Sequence, residues 1–237
     1  PYDYGTVAQG AVLNHTFTLT NTGGFTASAI ADIGLAAPFG FAGGSFPGTA
    51  GTCAVTLAPA AACTIVVAYS PTGTGASAGD IEISYNNGAS VVSSVRLLQG
   101  TGAAPALITI TDTDPYDYGN VTVGNTSTRT FTLNNTGAVA ATAVGGSGLM
   151  APFSFLGGSF PGTGGTCTAT INASANCTVV VEYAPITPGS LNDTMDINYN
   201  NGVTVQTSSR QLVGTGIAPA LLAIDSGPTY DYGLIAS

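Results

Sequence analysis

The sequence reads Thr16-Phe17-Thr18-Leu19-Thr20-Asn21-Thr22-Gly23, and 114 residues later it reads Thr130-Phe131-Thr132-Leu133-Asn134-Asn135-Thr136-Gly137. Polar and apolar side chains alternate in both stretches, which is the pattern of a β-strand with one buried face. The Asn and Gly that follow favour a tight turn. Both copies therefore predict a half-buried strand whose Phe and Leu point into a core.

The same offset holds along the whole chain without insertion or deletion. Residues 1–5 (Pro-Tyr-Asp-Tyr-Gly) recur as 115–119, and the Tyr-Asp-Tyr-Gly signature begins a third time at Tyr230. A repeat of this length is a whole domain. We therefore predict a first repeat, residues 1–103, which lacks its first strand, and a second repeat, residues 104–217. Residues 218–237 would be the opening strands of a third repeat or a donor strand for a neighbouring subunit.

Further strand signals follow the first one in each repeat. Residues 64–69 and 178–183 alternate so that Ile65, Val67 and Tyr69 should face the core, with Val66 on the outer face. Asn87-Gly88 between two strand patterns predicts a hairpin. About seven short strands per repeat indicate an all-β fold of tandem immunoglobulin-like β-sandwich domains.

The charge composition argues against several classes of partner. Only 6% of residues are charged, the net charge is −9, and the basic residues are three Arg with no Lys. Nucleic-acid binding needs a basic surface, so we expect no nucleic-acid partner. No apolar run is long enough for a membrane-spanning helix, and we expect any export signal or anchor to lie outside this chain.

Each repeat contains two cysteines at the same spacing, Cys53 with Cys63 and Cys167 with Cys177. A lone pair without His residues or a second Cys pair does not suit zinc, so we predict a local disulfide in each repeat. Lasting disulfides imply an oxidising compartment, which indicates an extracellular or cell-surface location.

The sequence shows no pattern that predicts catalysis. The one histidine, His15, is replaced by Arg129 in the second repeat, and the acidic residues are scattered. We therefore expect no enzyme and no cofactor. A weak candidate for Ca²⁺ is the carboxylate group at the junction, Asp112, Asp114 and Asp117; a solvated turn with backbone-capping Asp residues is the alternative. Arg96 with Glu82 and Arg210 with Asp196 are candidate cross-strand ion pairs.

The longest identity between the repeats is a Gly- and Phe-rich loop, residues 43–49 and 157–163. Its aromatic residues and their neighbours form either an interface for a partner or plugs for the ends of their own sandwiches. These residues are Phe39, Phe41, Phe46, Phe153, Phe155 and Phe160.

Residues 218–224 correspond to residues 104–110, the strand that is missing before Pro1. Leu221, Leu222 and Ile224 are therefore candidate interface residues. They would either complete the first repeat of the next subunit or continue a longer tandem array. Both alternatives make neighbouring copies or further repeats the expected partners in a fibre.

The landmarks of the second repeat resemble a known family. They are Tyr118-Gly119, Val121, Gly124, residues 130–137, Pro152-Phe153, Cys167, residues 177–181 and 183–185, Gly189 and residues 214–216. The pattern is similar to the extracellular Ig-like repeats of bacterial choice-of-anchor D proteins, related to abnormal-spindle/Hydin domains. The resemblance implies a spacer, adhesive (adhesin) or filament-forming module without catalytic residues. The alternative is a carbohydrate- or host-surface-binding module that uses the Phe- and Gly-rich loop for surface glycans.

Overall fold

The computed structural model describes residues 1–224, Gly227, Gly233 and Leu234. Every regular element in this part of the chain is a β-strand, so the all-β prediction is confirmed. The described residues include no helix that could cross a membrane. The third Tyr-Asp-Tyr signature, which begins at Tyr230, lies outside the described residues.

The first repeat contains eight strands in two sheets. They are β1 (Tyr2–Ala8), β2 (Leu13–Thr20), β3 (Ala27–Asp32), β4 (Phe39–Phe41), β5 (Thr56–Leu57), β6 (Ala62–Tyr69), β7 (Gly75–Asn86) and β8 (Val91–Ala103). One sheet has the order β1-β8-β7-β3-β5, and the other has the order β2-β6-β4. The two sheets enclose a core that draws residues from both.

The second repeat has the same strands and one more. They are β9 (Ile108–Ile110), β10 (Tyr116–Thr122), β11 (Ser127–Asn135), β12 (Ala141–Ser147), β13 (Phe153–Phe155), β14 (Thr170–Ile171), β15 (Asn176–Tyr183), β16 (Gly189–Asn200) and β17 (Val205–Ile217). Its sheets are β10-β17-β16-β12-β14 and β13-β15-β11-β9. The additional strand, β9, lies at the edge of the smaller sheet beside β11.

The Tyr-Asp-Tyr-Gly signature lies in β1 of the first repeat and in β10 of the second. Its strand runs parallel to the last strand of the same repeat, with a register shift after Asp3. Gly5 has a φ of 71° there, a conformation that glycine adopts without strain, and its amide donates to Asp3 Oδ1 over 2.7 Å. The Tyr4 hydroxyl turns inward and donates to the Val67 carbonyl over 2.9 Å. Tyr118 makes the same bond to the Val181 carbonyl over 3.1 Å, which explains a Tyr at this position.

The strands expected to form the core do so, with one correction. Val67 and Tyr69 are fully buried, and the hairpin predicted at Asn87-Gly88 joins β7 to β8. Val66, expected on the outer face, is also buried. The Phe- and Gly-rich loop covers it, because the Val66 amide donates to the Pro47 carbonyl and its own carbonyl accepts from Ala42. That loop forms a local third layer over the smaller sheet.

Candidate functional site

Both predicted disulfides are confirmed. Cys53 bonds to Cys63 and Cys167 to Cys177, and the described residues contain no free cysteine. Each bond ties the segment that follows the Phe- and Gly-rich loop to the neighbouring strand, where the Cys53 amide also donates to the Thr64 carbonyl. The loop is therefore stapled to its own sheet.

The aromatic residues of this loop do not form an exposed surface. Phe39, Phe41, Phe153 and Phe155 lie in the cores of their own repeats, so they are not available as interface residues. Phe46 packs edge-on against Phe41 with ring centroids 5.5 Å apart, and Phe160 packs on Phe155 in the same way. Gly48 fits closely because a Cβ there would lie 2.2 Å from the Val66 carbonyl oxygen. These contacts match the plug interpretation.

The structure does not bring the three junction carboxylates together. Asp112 forms a bidentate pair with Arg129, Asp114 accepts from the Gln211 amide, and Asp117 accepts from the Gly119 amide. Within the described part of the chain, no group of three or more His, Cys, Asp or Glu residues is placed to hold a metal ion. The carboxylates cap backbone amides and pair with arginine.

The predicted cross-strand ion pairs are wrong by one residue. Arg96 lies opposite Ile81, and Arg210 lies opposite Met195. Arg210 is instead buried, with its guanidinium donating to the Ile110 carbonyl and lying 3.8 Å from Asp114. Arg96 is exposed at the equivalent position of the first repeat.

His15, Arg129 and two buried tyrosines serve packing. His15 stacks on Tyr2 with centroids 3.8 Å apart, and Arg129 takes the matching position over Tyr116. Burial, together with the neighbouring Tyr2 and Tyr116 phenols, raises the pKa of Tyr4 and Tyr118 well above the ordinary value for tyrosine. Both phenols therefore stay protonated and keep donating to their carbonyls.

The two repeats are joined directly, without a linker segment between them. The Ala103 carbonyl at the end of β8 accepts from Gln9, and the next carbonyl, that of Ala104, already accepts from Ala138 in the second repeat. The hairpin tip at Gly202 reaches the first repeat, because a Cβ there would lie 2.9 Å from the Ala8 side chain. The chain thus passes directly from one sandwich into the next.

Beyond the junction, β9 fills the edge of the second repeat. Ile108 and Ile110 are 2% and 8% exposed, and they pair with Asn135 and Leu133 of β11. The Ile108 amide donates to the Tyr199 hydroxyl, and the Leu107 amide donates to Asn135 Oδ1, each over 3.2 Å. This strand closes the core of the second repeat.

At the equivalent place in the first repeat there is an open groove of about 340 Å³. Leu19, Asn21, Ile83 and Tyr85 line it. Leu19, Asn21 and Tyr85 are partly exposed, whereas Ile83 and the counterparts of all four residues in the second repeat are buried. Leu133, the counterpart of Leu19, is fully buried. The β2 edge that β9 would occupy carries no strand.

The tail, which we define as residues 218–224, forms no strand in the structure. Leu221, Leu222 and Ile224 are 93%, 96% and 89% exposed. The structure thus leaves these three predicted interface residues without a partner among the described residues. The groove itself was not predicted from the sequence, and it marks the position that β9 occupies in the second repeat.

The comparisons support an Ig-like family. The model of the HYDIN/CFA65/VesB-like, Ig-like domain matches residues 109–212, which is most of the second repeat. No curated protein is significantly similar to this chain.

Several solved structures are distantly similar. A protein of unknown function from Porphyromonas gingivalis W83 is 9% identical, with 88% of this chain and 93% of that chain covered and a TM-score of 0.36. The ASH/PapD-like domain 7 of human CEP192 is 18% identical, with coverages of 48% and 87% and a TM-score of 0.37. The VesB protease of Vibrio cholerae is 17% identical, with coverages of 46% and 31% and a TM-score of 0.38. TM-scores this low carry no functional argument.

Proposed function

We propose that this chain is a structural module of a secreted or cell-surface bacterial fibre, in which Ig-like repeats of the choice-of-anchor D type follow one another in a linear array. The observation that carries the proposal is the direct junction between the two repeats. The Ala104 carbonyl and the Ala106 amide are both hydrogen-bonded within the second repeat, to Ala138 and Asn201. A stiff array needs such connections, whereas a flexible linker needs several free residues.

Strand order also suits a chain under tension. In the second repeat β10 runs parallel to β17, from the pair Tyr116 and Leu212 to the pair Thr122 and Ile217. The chain enters near one end of this pair and leaves at the other. A pull along the array acts first on β9 and its short pairing with β11. Once it reaches β10, it loads the hydrogen bonds between β10 and β17 together.

The covalent and charge features fit an extracellular module. Two disulfides persist only in an oxidising compartment, and each one staples an exposed loop. We propose no catalytic residue, cofactor or metal for this module. A glycan-binding function through the Phe- and Gly-rich loop has less support, because Phe39, Phe41, Phe153 and Phe155 are buried.

Residual dipolar couplings measured by NMR test the stiff junction. We expect one alignment tensor to describe both repeats of the native chain. A matched variant with Gly-Ser-Gly-Ser inserted after Ala103 should need two tensors, because the insertion separates the Ala104 contacts from β8. Two independent tensors for the native chain would contradict the proposal.

A further inference from the structure

We propose that the solvent side of the larger sheet in the first repeat binds a basic, amphipathic segment of a partner protein. We call this surface the lateral face. Its centre is formed by Val95 and Leu97 of β8 and by Asp80 and Glu82 of β7. The proposal goes beyond the structural role, because the lateral face shares no residue with the lining of the junction between the repeats.

Strand register places aliphatic and acidic side chains next to each other on the lateral face. Leu97 lies opposite Asp80, and Val95 lies opposite Glu82. Side chains alternate between the two sides of a strand, so Leu98 enters the core while Leu97 faces solvent. Val95 and Leu97 are 54% and 56% exposed, whereas Leu98 is 1% exposed. Two aliphatic side chains are thus presented to solvent beside two carboxylates.

Ile33, the residue after β3, extends this face on the other side of β7. Its amide donates to the Glu82 carbonyl over 3.0 Å, and its side chain is 56% exposed. The preceding residue, Asp32, lies opposite the core residue Ile83, so alternation turns Ile33 toward solvent. Glu82 therefore has an exposed aliphatic neighbour on each side, Ile33 and Val95.

The equivalent face of the second repeat is polar and makes its own hydrogen bonds. The residues at the positions of Ile33, Val95 and Leu97 are Ser147, Ser209 and Gln211. Ser209 Oγ donates to Asp196 Oδ1 over 2.6 Å. Thr207 Oγ1 donates to Asn198 Oδ1 over 2.7 Å, and Asn198 Nδ2 donates to Ser147 Oγ over 2.8 Å. Side chains of the second repeat thus satisfy one another where those of the first do not.

The carboxylates of the lateral face lack a counter-charge. Within the part of the chain that the structure describes, neither Asp80 nor Glu82 accepts a side-chain hydrogen bond or forms an ion pair. Arg96 is the one Arg of the first repeat, which has no Lys. It lies opposite the core residue Ile81 and so belongs to the other side of the sheet. Lys or Arg from a partner would complement this charge.

The charge of the chain also argues against a second copy as the partner. Each copy has a net charge of −9 and only three Arg. Arg129 is paired with Asp112, and Arg210 is buried. Two copies that met through this face would bring carboxylates together without enough cations to balance them. A different, positively charged protein is the occupant that fits.

The spacing of the face suits a helix with a Leu stripe beside a Lys stripe. Val95 and Leu97 are two residues apart on β8, or roughly 6.8 Å. Residues four apart on a helix repeat at about 6 Å. A helix along β8 therefore places successive Leu side chains over this pair. Its Lys side chains then lie over Asp80 and Glu82, about 5 Å to the side on β7.

NMR titration of the native chain with a synthetic 14-residue Leu/Lys peptide of this design tests the apolar part. We expect amide shifts to change in β7 and β8 and to stay constant in β16 and β17. The double substitution Val95→Ser with Leu97→Gln installs residue types of the second repeat without changing the charge. It should raise the dissociation constant at least about 10-fold. Absence of binding, equal shifts in both repeats or unchanged affinity of the double variant would each overturn the proposal.

A matched pair of substitutions tests the acidic part. Glu82→Gln and Asp196→Asn each remove one carboxylate from equivalent positions. Glu82→Gln should weaken peptide binding about 3- to 10-fold, and Asp196→Asn should leave it unchanged. Equal weakening would mean unspecific attraction to an acidic chain and would contradict the proposal.

Sedimentation velocity of the chain without peptide tests the choice of partner. We expect no self-association through the lateral face. Self-association that Val95→Ser with Leu97→Gln abolishes would assign the face to a second copy and overturn the choice of a basic protein. These solvent-facing substitutions lie outside the junction between the repeats, so failure here is distinct from failure of the stiff connection.

Discussion

The two repeats differ at one edge of one sheet. In the second repeat β9 covers that edge, and Leu133, Ile197 and Tyr199 lie beneath it, almost without exposure. In the first repeat the matching residues line a groove of about 340 Å³. The same lining is thus a closed core in the second repeat and an open groove in the first. The difference shows that the β9 segment is part of the domain it completes, although it follows directly from the previous one.

The largest effect should come from disrupting β9. Ile108→Asp places a carboxylate in the core, and we expect it to destabilise the second repeat by about 4 kcal/mol or more. Chemical denaturation of the native chain should show the first repeat unfolding before the second, and this variant should reverse or merge the two transitions. Leu107→Asp, at an exposed position, is the matched control and should change little. A second repeat that keeps its stability in Ile108→Asp would show that β9 does not close the core.

Removal of a disulfide should affect the two repeats equally. Both bonds close loops with a sequence separation of 10. The double substitution Cys167→Ala with Cys177→Ala should lower the free energy of unfolding of its repeat by about 2.5 kcal/mol, and Cys53→Ala with Cys63→Ala should do the same. Denaturant titration of each variant measures these values. A clearly larger loss in the first repeat would mean that the open groove weakens the loop as well.

Arg210 and Arg96 occupy equivalent positions, but they should contribute differently to the stability of their repeats. Arg210→Ala removes the donor to the Ile110 carbonyl and the partner of Asp114, so we expect a loss of about 2 kcal/mol. Arg96→Ala removes an exposed side chain from the monomer and should cost less than about 0.5 kcal/mol. Both values come from denaturation at a concentration where the chain is monomeric. Equal losses would contradict the different environments of the two residues.

The smallest effect concerns two buried phenols, and here the repeats should agree. Their pKa values are raised in the folded state, so the folded chain holds these protons at a pH where the unfolded chain releases them. The contribution of Tyr4 and Tyr118 to the free energy of unfolding should be fully present below about pH 10 and should decline as the pH rises further. Tyr4→Phe and Tyr118→Phe should each reduce this decline and cost about 1 kcal/mol at neutral pH. The pKa of Tyr183 is also raised by burial, so some decline should remain in the double variant. A decline as steep in the double variant as in the native chain, measured by unfolding against pH, would contradict the prediction.

Much of the fold could be predicted from local patterns. The alternation in residues 130–134, the Asn-Gly turns and the repeated cysteines depend on short-range chemistry, and they predicted the strands, a hairpin and both disulfides. The burial of Val66 could not be predicted, because it results from a loop that folds back over the outer face of β6.

The site was harder to predict for the same reason. Comparison of residues 218–224 with 104–110 indicated a missing strand, but the groove depends on side chains from five distant strands. Arg210 was assigned to a solvent-exposed pair because Asp196 shares its sheet, whereas the observed register places Arg210 opposite Met195. Strand register sets such partners, and a single sequence does not specify it.

The dipolar couplings of the native chain test the central claim, a direct and stiff connection between the two repeats, most directly. The Ala104 carbonyl and the Ala106 amide are both hydrogen-bonded within the second repeat, and the Ala103 carbonyl is hydrogen-bonded within the first. One alignment tensor should therefore describe both repeats. Two independent tensors would contradict the account.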